Sequence, residues 1–150
     1  MKIWIDADGC PAEVKEITCR AGERVKVQVV LVANRPMKIM RSPFVSLQVV
    51  AAGLDVADGE IVRASATTDL AITADIPLAA ALVGKGVVTI DPRGELYSTE
   101  NIGERLAMRN MMQELRGAGL VSGGAGAYGM RERNRFASTL DRELTRLLKG

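Results

Sequence analysis

The sequence predicts an α/β domain with a mostly parallel sheet of about five strands, and three observations lead there. Short apolar runs rich in Val, Ile and Ala alternate with stretches of helical periodicity through residues 1–100. One of those runs, Val25–Ala33, alternates little and is rich in Val, as expected of a strand buried on both sides. Strands that alternate with helices wrap a parallel sheet. A chain of 150 residues suits one such domain.

Lys2–Ile5 reads as the first strand, stopped by the turn Asp6-Ala7-Asp8-Gly9. Pro11 suits the first position of a helix carrying Val14, Ile17 and Ala21, with Gly22 near its end. Val25–Ala33 is a second strand, followed by the loop Asn34-Arg35-Pro36, and Val45–Ala51 is a third. Asp58–Ala64 reads as a short helix and Asp69–Thr73 as a compact strand ending at Ala74-Asp75. Pro77 restarts a helix through Val83, ended by Gly84-Lys85-Gly86. Val87–Ile90 is a strand running into the turn Asp91-Pro92-Arg93-Gly94. The remainder reads as helical. Ile102, Leu106, Met112 and Leu115 mark one face; Phe136, Leu140, Leu144 and Leu147 mark another, on a C-terminal helix over residues 131–149. Between them a stretch rich in Gly and Ala, residues 117–130, reads as a flexible connector. It lacks Gly-Lys-Ser/Thr and follows a helix, so it is no phosphate loop.

Composition narrows the chemistry. There is no histidine, which removes Ser-His-Asp and Cys-His catalysis and imidazole-rich zinc sites. Acid–base work is left to carboxylates, Lys, Tyr, Cys or a metal-activated water. The five aromatic residues, Trp4, Phe44, Tyr97, Tyr128 and Phe136, are too few for a row of base-stacking rings. Cys10 and Cys19 form neither a metal-ligand spacing nor a disulfide framework, which points to a reducing cytoplasm. No apolar run approaches the roughly 20 residues of a membrane span, and Asp6 interrupts any signal-peptide core. The net charge of +2 is uneven: residues 101–150 carry +4 and residues 1–100 carry −2. A basic tail beside an acidic site can guide a polyanion, or it can be a solvated helical surface.

Three strands end in acids, at Asp6 and Asp8, at Asp75 and at Asp91, and Asp58 starts a helix that can reach the same edge. In open α/β sheets ligands gather at the carboxyl ends of the strands. Carboxylates brought together repel one another, and a hard divalent cation with oxygen ligands, Mg²⁺ or Mn²⁺, resolves the conflict. Taken singly, each aspartate is also a favoured helix or turn cap.

The stretches Ile5-Asp6-Ala7-Asp8-Gly9-Cys10-Pro11, Val56-Ala57-Asp58-Gly59-Glu60-Ile61-Val62 and Asp69-Leu70-Ala71-Ile72-Thr73-Ala74-Asp75-Ile76-Pro77-Leu78-Ala79 strongly resemble the YaiI/YqxD family. Pro92-Arg93-Gly94, Asn101-Ile102, Met108-Arg109 and Leu115-Arg116 extend the match along nearly the whole chain. The resemblance implies a PIN-like fold, a three-layer α/β/α sandwich known for nucleases, with acids at the carboxyl edge of its sheet. By that similarity Asp6 ends strand one and Asp75 is the acid after a hydrophobic strand and a Thr. Asp58, with Asp69 as a further candidate, would complete the metal shell. Where many members read Gly-Gly-Pro and then an acid before Arg, this chain has Gly123-Gly124-Ala125 and Glu132-Arg133.

The expectation is a Mg²⁺- or Mn²⁺-dependent nuclease acting on RNA or single-stranded DNA, with Asp6, Asp8, Asp58 and Asp75 holding the ion. Arg93 would steady a phosphate, and Arg109 and Asn34 are further substrate-binding candidates. Two alternatives stand beside it. One is a non-catalytic module that binds nucleotide or RNA. The other is a haloacid-dehalogenase-like phosphatase using Asp6-x-Asp8, although Gly9-Cys10 replaces the usual x-Thr and the later Lys and Gly-Asp-x3-Asp signals are missing. Cys10 precedes a helix N-terminus, where a thiol can be activated; a buried structural thiol is the competing reading. Position 16 is Glu16, so the Cys-x5-Arg cradle of cysteine phosphatases is absent.

Overall fold

The computed structural model describes residues 1–53, 56–120 and 127–150. Its centre is a five-stranded sheet in the order β3-β2-β1-β4-β5, formed by β1 (Lys2–Asp6), β2 (Gln28–Ala33), β3 (Val45–Val49), β4 (Leu70–Ile72) and β5 (Val88–Ile90). Every pairing is parallel, so the expected "mostly parallel" sheet is wholly so. Among the described residues five α-helices flank it: α1 (Ala12–Val25), α2 (Val56–Ala64), α3 (Ile76–Lys85), α4 (Ile102–Gly117) and α5 (Met130–Leu148).

Period-two alternation assigns the strand side chains to two cores. Ile3, Ile5, Val29, Leu31, Leu70 and Ile72 face one side with Val14 of α1 and Phe136, Leu140 and Leu144 of α5. Trp4, Val32 and Ala71 face the other with Ala57 and Ile61 of α2 and Leu78 and Leu82 of α3. The result is a three-layer α/β/α sandwich. Burial on both sides explains the apolar runs that first signalled a parallel sheet.

Some element boundaries differ from the expected ones, for physical reasons. Pro11 caps α1 one position before its first helical residue. The helix then continues past Gly22 to Val25, which it takes from the expected second strand, and is closed by Lys26 in a left-handed conformation, φ 60°. Gly22 is a packing residue: a Cβ there would lie 2.3 Å from Val29 Cγ2 and 2.9 Å from the Val27 carbonyl oxygen. α4 has no buried residue, and its Met108 and Met111 are about half exposed; it packs along α3, so its apolar face is a partial one. Residues 121–126 of the Gly-rich connector, including the departure at Gly123-Gly124-Ala125, lie outside the described residues.

After β5 the chain turns sharply. The Gly94 amide donates to the Asp91 carbonyl at 2.9 Å, and the Asp91 amide donates to the Glu95 carbonyl at 2.8 Å. Gly94 adopts φ 93°, and a Cβ there would sit 2.7 Å from the Arg135 backbone carbon. Thr139 of α5 donates to the Gly94 carbonyl at 2.7 Å, docking the C-terminal helix on the turn. Gly94→Ala therefore strains the backbone and pushes α5 away, and should cost about 2–4 kcal/mol in urea unfolding. Gly84→Ala, inside α3 with open space at the Cβ, should be neutral or stabilise by up to about 1 kcal/mol.

Candidate functional site at the β1–β4 seam

The strand order reverses between β1 and β4. β1 leads through α1 to β2 on one side, and β4 leads through α3 to β5 on the other. The loops after β1 and β4 thus diverge and leave a crevice at the carboxyl edge, where open α/β sheets bind ligands. Asp6 ends β1 there, Asp8 follows in a 3-10 turn (Ala7–Gly9), and Asp75 caps α3 just after β4.

Local hydrogen bonds hold each acid. Thr73 Oγ1 donates to Asp6 Oδ2 at 2.9 Å and accepts from the Asp75 amide at 3.0 Å, so one hydroxyl links both strand ends. Asp75 Oδ1 accepts from the Leu78 amide at 3.1 Å, the N-cap bond of α3. Asp8 Oδ2 accepts from the Asn34 amide at 2.8 Å, tying the loop after β2 to the same edge. Asp6 is buried, with 8% of its surface exposed. Burial pushes its carboxyl above the usual range; the Thr73 bond opposes this, and the nearby charges of Asp75 and Asp8 add to it.

Asp91 is held differently. Its Oδ1 accepts from the Arg93 amide at 2.6 Å and its Oδ2 from the Tyr97 hydroxyl at 3.2 Å. Arg105 of α4 approaches that oxygen at 3.5 Å, reaches Glu95 at 2.8 Å, and stacks over the Tyr97 ring at 5.1 Å. Asp91 is thereby neutralised within the protein. Arg105, one helical turn before Arg109, is a residue that sequence reasoning missed; the acids Asp91 and Glu95 just upstream were its only signal. Arg109 bonds its neighbour Asn110 at 3.1 Å instead of an acid of this edge.

A cleft of about 200 Å³ opens beside the seam, lined by Gly9, Pro11, Ala74, Asp91, Pro92, Arg93 and Tyr128. Tyr128 donates to the Pro92 carbonyl at 2.9 Å, and burial pushes its phenol up to about 12. Arg93 lies 3.7 Å from Glu132 of α5 and shares a second recess with Arg131 and Arg135.

The structure changes the reading of two acids and one thiol. Asp69 stands at the amino end of β4, opposite Lys2, away from the seam. It accepts from the Lys2 amide (2.8 Å), Trp4 Nε1 (3.0 Å) and the Ala66 amide (2.9 Å), a structural bridge. Asp58 lies half-buried in the first turn of α2. Among the described residues no three Cys, Asp or Glu side chains converge closely enough to enclose an ion, so the expected four-carboxylate shell is not assembled. Cys10 is buried, and burial first, then the Asp6 charge, drives its thiol far up, removing it as a nucleophile. Burial likewise pushes Cys19 up to about 11. Lys85 donates to the Val62 carbonyl at 2.6 Å, closing the end of α2.

The donor set still suits a hard cation. Mg²⁺ usually keeps several waters and takes one or two carboxylates, with substrate phosphates supplying the rest. Asp6 and Asp75, joined through Thr73, offer oxygen donors of that kind.

The fold and this seam define an α/β protein with an acidic switch-point site. Residues 4–146 match the family described as "Uncharacterized BCR, YaiI/YqxD family", and the chain belongs to it. It is 57% identical over 150 residues to a UPF0178 protein of Geobacter sulfurreducens, covering 99% of each chain. It is 56% identical over 149 residues to a UPF0178 protein of Myxococcus xanthus, covering 99% of this chain and 97% of that one. A UPF0178 protein of Shewanella halifaxensis is 49% identical over 146 residues, 97% of either chain. No solved structure matches significantly. No helix among the described residues is long and apolar enough to cross a membrane.

Because the folded protein holds Asp6 with a raised pKa, it binds more protons than the unfolded chain between the two values, and stability falls as pH rises through that window. Asp6→Asn keeps an acceptor for Thr73 and removes the charge. The variant should unfold at higher urea than the parent at neutral pH. That advantage should vanish as pH falls below about 3.9, the ordinary aspartate value.

Proposed function

We propose that this protein is a divalent-metal-dependent phosphodiesterase of nucleic acid, RNA or single-stranded DNA, working at the β1–β4 seam. The observation that carries the proposal is geometric: Asp6, buried at the end of β1, is tied through Thr73 to the backbone of Asp75 at the carboxyl edge of the sheet, and burial raises the proton affinity of its carboxyl. A site that destabilises its own negative charge gains most from a bound cation. The PIN-like resemblance read from the sequence supports the same chemistry.

In this proposal Asp6 and Asp75 hold Mg²⁺ or Mn²⁺, which when bound would make a water acidic enough to attack phosphorus and would offset charge on the phosphoryl oxygens. The protein's own part is positioning. Thr73 fixes the Asp6 oxygen it bonds, and the α3 cap fixes Asp75. Asp8 is steadied by the Asn34 amide. Arg93 at the adjoining cleft provides a planar fork for a phosphate. As the water oxygen bonds phosphorus, the P–O bond to the departing nucleotide breaks; in a chain without histidine the water's proton passes to a carboxylate of this edge or to solvent, and the leaving oxygen takes a proton from solvent. A second reading, binding without turnover, is favoured by one observation: no three-ligand group among the described residues.

A labelled single-stranded oligonucleotide incubated with Mn²⁺ or Mg²⁺ tests both. Asp6→Asn and Asp75→Asn should each slow cleavage by about 10²-fold or more, and Arg93→Ala by about tenfold or more. Asn caps helices as well as Asp does, so Asp75→Asn should keep the fold. Cleavage retained in both aspartate variants overturns the metal site; binding with no cleavage in the parent selects the binding module.

A further inference from the structure

The loop between β2 and β3, residues 34–44, carries Arg35, Lys38 and Arg41 and no acid. All three are exposed. Among the described residues none of the three has an ion pair or a side-chain hydrogen bond. Unneutralised cations kept together on one loop repel each other, and a polyanion relieves that cost. The loop is not free to drift away. Its half-buried Met37, Ile39 and Met40 pack on the core, the Asn34 amide grips Asp8 at its start, and the Phe44 carbonyl accepts from the Val29 amide at 2.7 Å near its end.

Between this loop and α1 lies a cleft of about 410 Å³. Leu31, Cys19, Ile39 and Met40 give it an apolar lining, which Lys15, Lys38 and the ion-paired Glu16 and Arg20 complete. An apolar recess edged by a few cations suits a flat, weakly polar ring that carries a phosphate. Lys15 Nζ comes within 3.5 Å of the Ala7 carbonyl, in the turn between Asp6 and Asp8. The cleft therefore adjoins the acidic seam on the side away from Arg93.

We infer that the 34–44 loop and α1 form a seat for single-stranded nucleic acid, with one unstacked base in the cleft and its flanking phosphates on Arg35, Lys38 and Arg41. The inference deepens the proposed function and rests on it for the identity of the ligand. A duplex keeps its bases inside the stack and cannot fill the cleft, so the seat separates single strands from duplexes. The path leads from the cleft past Lys15 toward Asp6.

Fluorescence anisotropy of a labelled oligouridylate of about 12 nucleotides, in EDTA over a series of salt concentrations, measures the seat without turnover. The parent should bind the single strand at least about tenfold more tightly than a duplex of equal length. The triple variant Arg35→Ala/Lys38→Ala/Arg41→Ala, all exposed positions, should lose at least about tenfold in affinity and about 2 in the slope of log K against log salt. Ala12→Leu, at an exposed cleft-lining position, should weaken single-strand binding while keeping the slope. Equal duplex binding, an unaffected triple variant, or no binding by the parent overturns the seat; an Ala12→Leu variant that binds as the parent does overturns the base position. Cleavage that needs Asp6 but ignores the loop sinks this inference alone. Loop-dependent binding with no cleavage sinks the nuclease reading alone.

Discussion

Thr73 joins the two strands that the rest of the site depends on. Its hydroxyl donates across the seam to the Asp6 carboxylate and accepts from the Asp75 backbone amide, so one side chain ties the first acid to the backbone that carries the second. The geometry is available only because β1 and β4 run parallel, in register from Ile3 opposite Leu70 to Ile5 opposite Ile72. That register places the last residue of β1 beside the residue after β4. Burial of both sheet faces keeps water away from Asp6 and makes its charge costly. The fold thus gives up stability at one carboxylate, and a bound cation would restore it.

Much of the architecture was legible in the sequence because a parallel sheet buried on both faces leaves a strong local trace. Even a strand of three apolar residues, Leu70-Ala71-Ile72, can be placed as β4, since polar and turn-forming residues bound it on both sides. Helix ends are harder. Gly22 reads as a stop signal, yet it is small because Val29 presses against it, and Lys26 makes the actual left-handed turn. Contacts between elements decide such cases, and a local pattern does not carry them.

The site was legible in part, and each miss has a cause. An acid beside a strand reads alike at either end, but only the carboxyl end faces the crevice; Asp69 stands at the other and serves three donors there. Cys10 before a helix suggests an activated thiol, but desolvation outweighs the dipole. Arg109 stands out in the sequence where Arg105 does not, because helical phase relative to Asp91 and Glu95 depends on where the chain turns after β5. The basic character of the 34–44 loop is visible in its residues, whereas the cleft beneath it needs the packing of α1.

The acidic seam lies between the cationic loop beyond β2 and the arginine-edged cleft beyond β5, and the buried Asp6 at its centre is the group a cation would bind first. The direct measurement is the pH titration of the Asp6 side-chain carboxyl by ¹³C NMR, with and without Mg²⁺, assigned through Asp6→Asn. The expected midpoint lies above the ordinary aspartate value in the metal-free protein and falls when Mg²⁺ is added. An ordinary midpoint, or one that Mg²⁺ leaves in place with an oligonucleotide present, would contradict it.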